Sequence, residues 1–171
     1  MDNYMIILRL IHIFGGILWA GWVFVLVGFI TPAIRAAGSE GGKFLQTLIM
    51  KTKISQTMRV APLLVIFTGL LMYWQVSSGF TGSWIVSGSG LALTIGSLAG
   101  ILAFVAGFII NRPVTERLAA MSKEMQSSGG LPSPEQMEEL RTQQERLSKG
   151  GLYVAILLAI SVIGMSIARF L

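Results

Sequence analysis

Residues 10–30 read LIHIFGGILWAGWVFVLVGFI, a run in which His12 is the one titratable side chain. At a rise of about 1.5 Å per residue, a helix of this length reaches about 30 Å, the thickness of a bilayer's hydrocarbon core. The run is therefore read as a membrane span, and His12 as the polar group to be explained. It is the only histidine in the chain of 171 residues.

The rest of the composition agrees. The chain is 53% hydrophobic and 12% charged, with a mean hydropathy of +0.72. Soluble domains carry about 25% charged residues, so a chain this apolar needs lipid as solvent. With no cysteine, disulfide frameworks and thiolate metal sites are excluded. The net charge of +5 speaks of topology before nucleic acid, and no nucleic-acid partner is expected. A cleaved signal peptide is not expected either. The first apolar core exceeds the roughly 7–15 residues usual for one, and Asp2 spoils a basic leader.

Outward from the first run, three more apolar stretches follow. The expected fold is all-α: a polytopic membrane protein, a four-transmembrane-helix bundle with a cytoplasmic helical hairpin. It forms a single membrane domain, 1–171, with spans at about 5–30, 58–77, 91–111 and 151–170, and charged loops at 31–57 and 112–150. Thr31-Pro32 and Asn111-Arg112-Pro113 read as stops. Pro62 reads as a first-turn proline, and Gly150-Gly151 as a break before the last span. In the first loop, Phe44, Leu48 and Ile49 recur at helical spacing, predicting a short amphipathic helix at the membrane surface. In span three, Gly96 and Gly100 form a GxxxG, which lets helices approach closely.

The second charged loop has six bases and six acids. Val114, Leu118, Met121 and Met125 form a helical stripe, and residues 127–134, SSGGLPSP, break it. Ser133, Pro134 and Gln136 then predict a capping box at a second helix start, with Met137, Leu140 and Leu147 on its inner face. This segment is either a hairpin hanging off the membrane or an extension of the spans. As a charged helical surface it is also a candidate dock for a soluble partner.

The two charged loops, counted with Arg59 at the entry to span two, hold eleven of the thirteen basic residues, and loop two, between the second and third spans, holds none. The positive-inside rule places the charged loops in the cytoplasm and both termini outside. The expected location is the plasma (inner) membrane. His12 then lies about two turns below the external surface, at the same end as Met5, Arg9, Met72, Met165 and Arg169. A faint echo between Gly28-Phe29-Ile30 before Pro32 and Gly107-Phe108-Ile109 before Pro113 suggests two similar helical hairpins.

Arg9, His12, Gly16, Trp19 and Val23 share a helical face, and ionisable groups within spans tend to face the bundle interior. Three readings of His12 stand open. It is an axial ligand of haem b, with Gly16 leaving room, Trp19 as a floor, and Arg9 or Arg169 near the propionates. The second ligand is then Met72, Met165, water, or the partner's His12 in a homodimer. Alternatively, His12 binds copper with Met5, Met72 and Met165, since imidazole and thioether suit Cu(I). Or it is structural, with no cofactor, bonded to a neighbouring helix.

The segment Leu10-Ile-His12-Ile-Phe-Gly-Gly16-Ile-Leu-Trp19-Ala-Gly21, with Pro32-Ala33-Ile34 after it, resembles the first helix of the copper-resistance D-like (CopD-like) membrane family. That broader group includes an oxygen-independent protoporphyrinogen oxidase. Arg59 at the entry to span two and Thr68-Gly69 within it look similar too. The strong part covers about thirty residues, with looser agreement over all four spans. The resemblance implies an all-α membrane fold with a first-helix histidine facing the bundle, and copper handling or haem and porphyrin chemistry. The porphyrinogen-oxidising relatives resemble each other in a basic residue within a later helix. Residues 91–110 hold none, which disfavours that oxidase activity here.

Overall fold

In the computed structural model, which describes residues 3–128 and 133–171, no strand occurs among the described residues. Four helices are long and apolar enough to cross a membrane: Asn3–Ala36, Ile54–Val76, Gly88–Met125 and Pro134–Phe170. The chain is an all-α polytopic bundle. Its elements are α1 (Asn3–Val25), a π-helical turn (Leu26–Ile30), α2 (Thr31–Ala36), α3 (Gly38–Lys51) and α4 (Ile54–Val76). Then come α5 (Gly82–Ile85), α6 (Gly88–Ala106), a second π-helical turn (Gly107–Asn111), α7 (Arg112–Ser128), α8 (Pro134–Ile167) and a 3₁₀ turn (Ala168–Phe170).

The distribution of side chains shows which solvent this fold requires. Phe14, Ile17, Phe29, Phe67 and Ile109 are all more than 60% exposed. In water such a surface would be costly, at about 25 cal/mol per Å²; against acyl chains it is not. The interior is built from small residues instead. Ala20, Ala61, Ala92, Ala99, Ala103 and Ala155 are buried, with Ala103 wholly so. Without a hydrophobic drive between helices, close backbone approach and dispersion hold a bundle in lipid, and small residues permit both.

Span one packs chiefly on span two, and span three on span four, with lesser contacts of one on four and two on three. Trp19 and Ala20 of span one, Ala61 and Val65 of span two, Ala103 of span three, and Val154 and Leu158 of span four meet in a central cluster. The expected GxxxG lies in the span three–four seam. A β-carbon on Gly96 would stand 3.0 Å from the Ser161 carbonyl oxygen, and one on Gly100 3.0 Å from Ser161 Oγ. One on Gly164 would stand 2.9 Å from the Ala92 carbonyl oxygen and 3.1 Å from Gly96 Cα.

The prolines correct the sequence reading. Pro32 and Pro113 do not stop their helices. Each follows a π-helical turn, in which the Thr31 N–H reaches back to the Leu26 carbonyl and the Arg112 N–H to the Gly107 carbonyl. A proline ring clashes with the carbonyl four residues back and lacks an N–H. Widening the preceding turn by one residue accommodates both defects, so the helix passes through. The same device at both sites gives the sequence echo a structural counterpart. Pro62 is not in a first turn: span two starts at Ile54 and carries Pro62 inside, buried. Gly150-Gly151 is no break either, since α8 is continuous across it and Gly150 is buried against Asn111.

Of the two forms considered for the second charged loop, the described residues take the extension of the spans. Spans three and four run to 38 and 37 residues, over 50 Å each at about 1.5 Å per residue, well beyond a bilayer core. Their charged halves form a helical hairpin. Val114, Leu118 and Met121 are buried along its seam. Arg117 spans it with a two-pronged ion pair to Glu139, at 2.7 and 2.9 Å. The capping box forms as expected, Ser133 Oγ accepting from the Gln136 N–H while the Gln136 side chain accepts from the Ser133 N–H. Met137 is a correction: expected on the inner face, it is 51% exposed. Of the expected break at 127–134, residues 129–132 lie outside the described residues. A helix does form in the first loop, α3, and it includes Phe44, Leu48 and Ile49.

Candidate functional site

The site is built where span one meets span two. The inward stripe of span one is Leu8, His12, Gly15 and Trp19, steps of four, three and four residues that keep one helical face. Gly15 has no room for a side chain: a β-carbon would stand 2.9 Å from Val65 Cγ2. That close approach brings His12 within reach of the span two backbone.

His12 is half-buried, and its ring turns toward span two rather than toward lipid. Nδ1 lies 3.0 Å from the Val65 carbonyl oxygen and 3.3 Å from Thr68 Oγ1. A carbonyl can only accept, so Nδ1 carries the proton and donates it to Val65. The Thr68 hydroxyl is already committed, donating to the Leu64 carbonyl at 2.6 Å. Thr68 is buried and offers its oxygen lone pairs to the imidazole. Gly69 completes the seat. A β-carbon there would lie 2.9 Å from His12 Cε1 and 3.3 Å from Nδ1, so only glycine lets the ring lie flat against the helix.

This geometry fixes the tautomer of the neutral ring. With Nδ1 protonated, the free lone pair is on Nε2, and no group among the described residues bonds to it. An imidazole whose Nδ1–H is held by a backbone carbonyl is the arrangement that orients Nε2 as a ligand or a proton acceptor.

The other expected residues scatter around this centre. Gly16 is half-buried, and a β-carbon there would meet nothing within 4 Å, so space is open beside it. Trp19 is 6% exposed and belongs to the central cluster; it packs the four-span core. Arg9 is exposed, one residue off the inward stripe. Arg169 is exposed too, its guanidinium 4.5 Å from the centre of the Phe170 ring. Met72 and Met165 are half-buried, and Met165 lies along Gly96 in the span three–four seam. Among the described residues, no group of three or more His, Cys, Asp or Glu side chains is placed to hold a metal ion.

Sequence reasoning on the face of span one missed Leu8 and Gly15, and Gly69 entered it only through resemblance. The signal for Leu8 and Gly15 was spacing relative to His12, but which of Gly15 and Gly16 packs depends on the partner helix, which spacing does not give; Gly69, on another helix, has no such signal. Also missed was the order in loop two. Ser77 is wholly buried, its hydroxyl accepting from the Phe80 N–H at 2.9 Å. Tyr73 stacks edge-on with Trp84 and donates or accepts a 2.6 Å hydrogen bond with Thr94. These contacts order the connection between spans two and three. No family model, curated protein or solved structure matches the chain.

Proposed function

We propose that this integral membrane protein is of the copper-resistance D-like kind and that His12 Nε2 would hold haem b near the extracytoplasmic surface. One observation carries the reading: Nδ1 is held by the Val65 carbonyl, leaving Nε2 as an oriented donor atom without a partner among the described residues. Gly16, one turn from His12, supports it by placing no side chain on that part of the span, where a β-carbon would meet nothing within 4 Å. Arg9 and Arg169 would offer cations to its propionates, and Met72, Met165 or the partner's His12 in a homodimer would be the further ligand. Bound haem would supply one-electron chemistry; the chain's own residues hold and orient the imidazole. Copper bound by His12 with Met5, Met72 and Met165 is the variant of the same reading for a softer metal. The protein is proposed to sit in the plasma (inner) membrane, both termini extracytoplasmic, because loop two is free of bases.

A second reading is favoured by the seat itself. The bond to Val65 and the fit against Gly69 join spans one and two, which a cofactor-free scaffold would need. Such a scaffold would dock a soluble partner through the hairpin at 112–150. Purified protein decides between them by visible absorption and metal content. A Soret band lost in His12→Ala is the expected result. Copper retained without that band would move the assignment to copper. A colourless, metal-free protein whose His12→Ala variant is equally stable in the membrane would overturn the ligand reading.

A further inference from the structure

The charged hairpin carries equal numbers of bases and acids, yet its folding separates them in space. Glu116 pairs with Arg112 at 2.8 Å, and Glu124 and Glu139 both pair with Arg117. Those carboxylates are spent along α7 and its seam with α8. Where α8 comes down to the membrane, a cleft of about 380 Å³ opens, lined by Arg35, Arg141, Gln144, Glu145 and Lys149. Its cations come from two elements far apart in sequence, α2 and α8. Among the described residues Glu145 is the single acid in the wall, and it is paired with Arg141 at 3.2 Å. Neither Arg35 nor Lys149 has a carboxylate within 4.0 Å among the described residues.

The level of this cleft decides what it meets. Arg35 follows Pro32 by one turn at the end of span one. Lys149 lies just before Gly150 and Leu152, where α8 turns apolar. Both cations therefore stand at the boundary between the apolar spans and their charged continuations, the boundary at which a bilayer's headgroups are expected. Basic pockets between spans at this height recognise anionic headgroups, and a guanidinium paired with an ammonium suits a phosphate diester. We infer that the cleft between α2 and α8 binds the phosphate of an anionic phospholipid through Arg35, Lys149 and the Gln144 amide. The site is independent of any ligand at His12 and clips the end of span one to span four through a lipid.

The test uses the whole protein in neutral detergent and native mass spectrometry. Dioleoylphosphatidylglycerol is titrated against dioleoylphosphatidylcholine. One tightly retained phosphatidylglycerol is expected, weakened roughly tenfold or more in Arg35→Gln/Lys149→Gln. The control Lys123→Gln/Arg146→Gln removes the same charge outside the cleft and should leave binding unchanged. Arg35→Lys/Lys149→Arg should retain binding, which separates loss of the site from loss of the fold. Equal retention of phosphatidylcholine, or equal weakening by the control pair, would overturn the site. Displacement of the lipid by millimolar inorganic phosphate would overturn the lipid as its ligand in favour of a soluble anion.

Discussion

A single imidazole in a low-polarity interior has few ways to satisfy its Nδ1–H, and here span two supplies one. The bond from His12 to the Val65 carbonyl replaces water that lipid cannot offer. Interhelical hydrogen bonds in membranes average about 0.6 kcal/mol, so His12→Ala alone should lower stability only slightly. Gly69→Ala should cost a similar small amount, about 0.6 kcal/mol, because its β-carbon would stand 2.9 Å from Cε1 and push the ring off the Val65 carbonyl. The two changes should not add. In the His12→Ala background the clash has no partner, and Gly69→Ala should cost almost nothing. Thermal unfolding in detergent of the four proteins of this double-mutant cycle measures the coupling. Additive losses would place Gly69 in some other contact. At this scale the sequence shows that His12 is singular and lies in a span, and Thr68-Gly69 stands out through family resemblance. It does not show that Gly15 rather than Gly16 faces the partner, because adjacent glycines on a helix differ by about 100° and both faces look equally small.

Among the elements, the span three–four seam is the tightest, and its glycines differ from those elsewhere in what surrounds them. Gly164→Ala should destabilise by about 1–3 kcal/mol, since the added carbon would press on the backbone of Ala92 and Gly96. Gly21→Ala should be neutral or stabilising by about 0.5–1 kcal/mol, since nothing lies within 4 Å of its β-carbon. The same unfolding measurement compares them, and equal losses would mean that the seam is looser than described. The four apolar helices were readable from composition and periodicity. Their lengths were not. Pro32 and Pro113 looked like stops, because a proline breaks a regular α-helix, and the π-helical turns that let the chain continue leave no mark in the pattern of apolar residues. Gly150-Gly151 looked like a break for a similar reason. Two glycines weaken an isolated helix, but here Gly150 is held against Asn111 across the seam, and packing outweighs propensity.

For the whole molecule, four spans put both termini on one face and the charged hairpin on the other. The chain contains no cysteine, so single cysteines report topology without background. Ser83→Cys in loop two and Ser127→Cys at the hairpin tip are both exposed positions. A membrane-impermeant maleimide added to intact cells should label Ser83→Cys and reach Ser127→Cys only after permeabilisation. The reverse pattern would invert the proposed orientation. The bundle's interior of alanine and glycine, with its large apolar residues turned outward, also explains why mean hydropathy revealed the solvent but not the pairing of the spans. Any of the four apolar stripes faces lipid equally well, and the partners are chosen by small residues whose positions only the folded contacts reveal.

The central claim is that the sole histidine is seated on span two with Nδ1 protonated and Nε2 left bare. Because there is one histidine, nitrogen-15 NMR of histidine-labelled, ligand-free protein in lipid reads that ring without ambiguity. At neutral pH the expected result is one Nδ1–H signal, one unprotonated Nε2 signal, and loss of the hydrogen-bonded Nδ1 position in Gly69→Ala. A proton fixed on Nε2, or two nitrogens averaged by tautomer exchange, would contradict it.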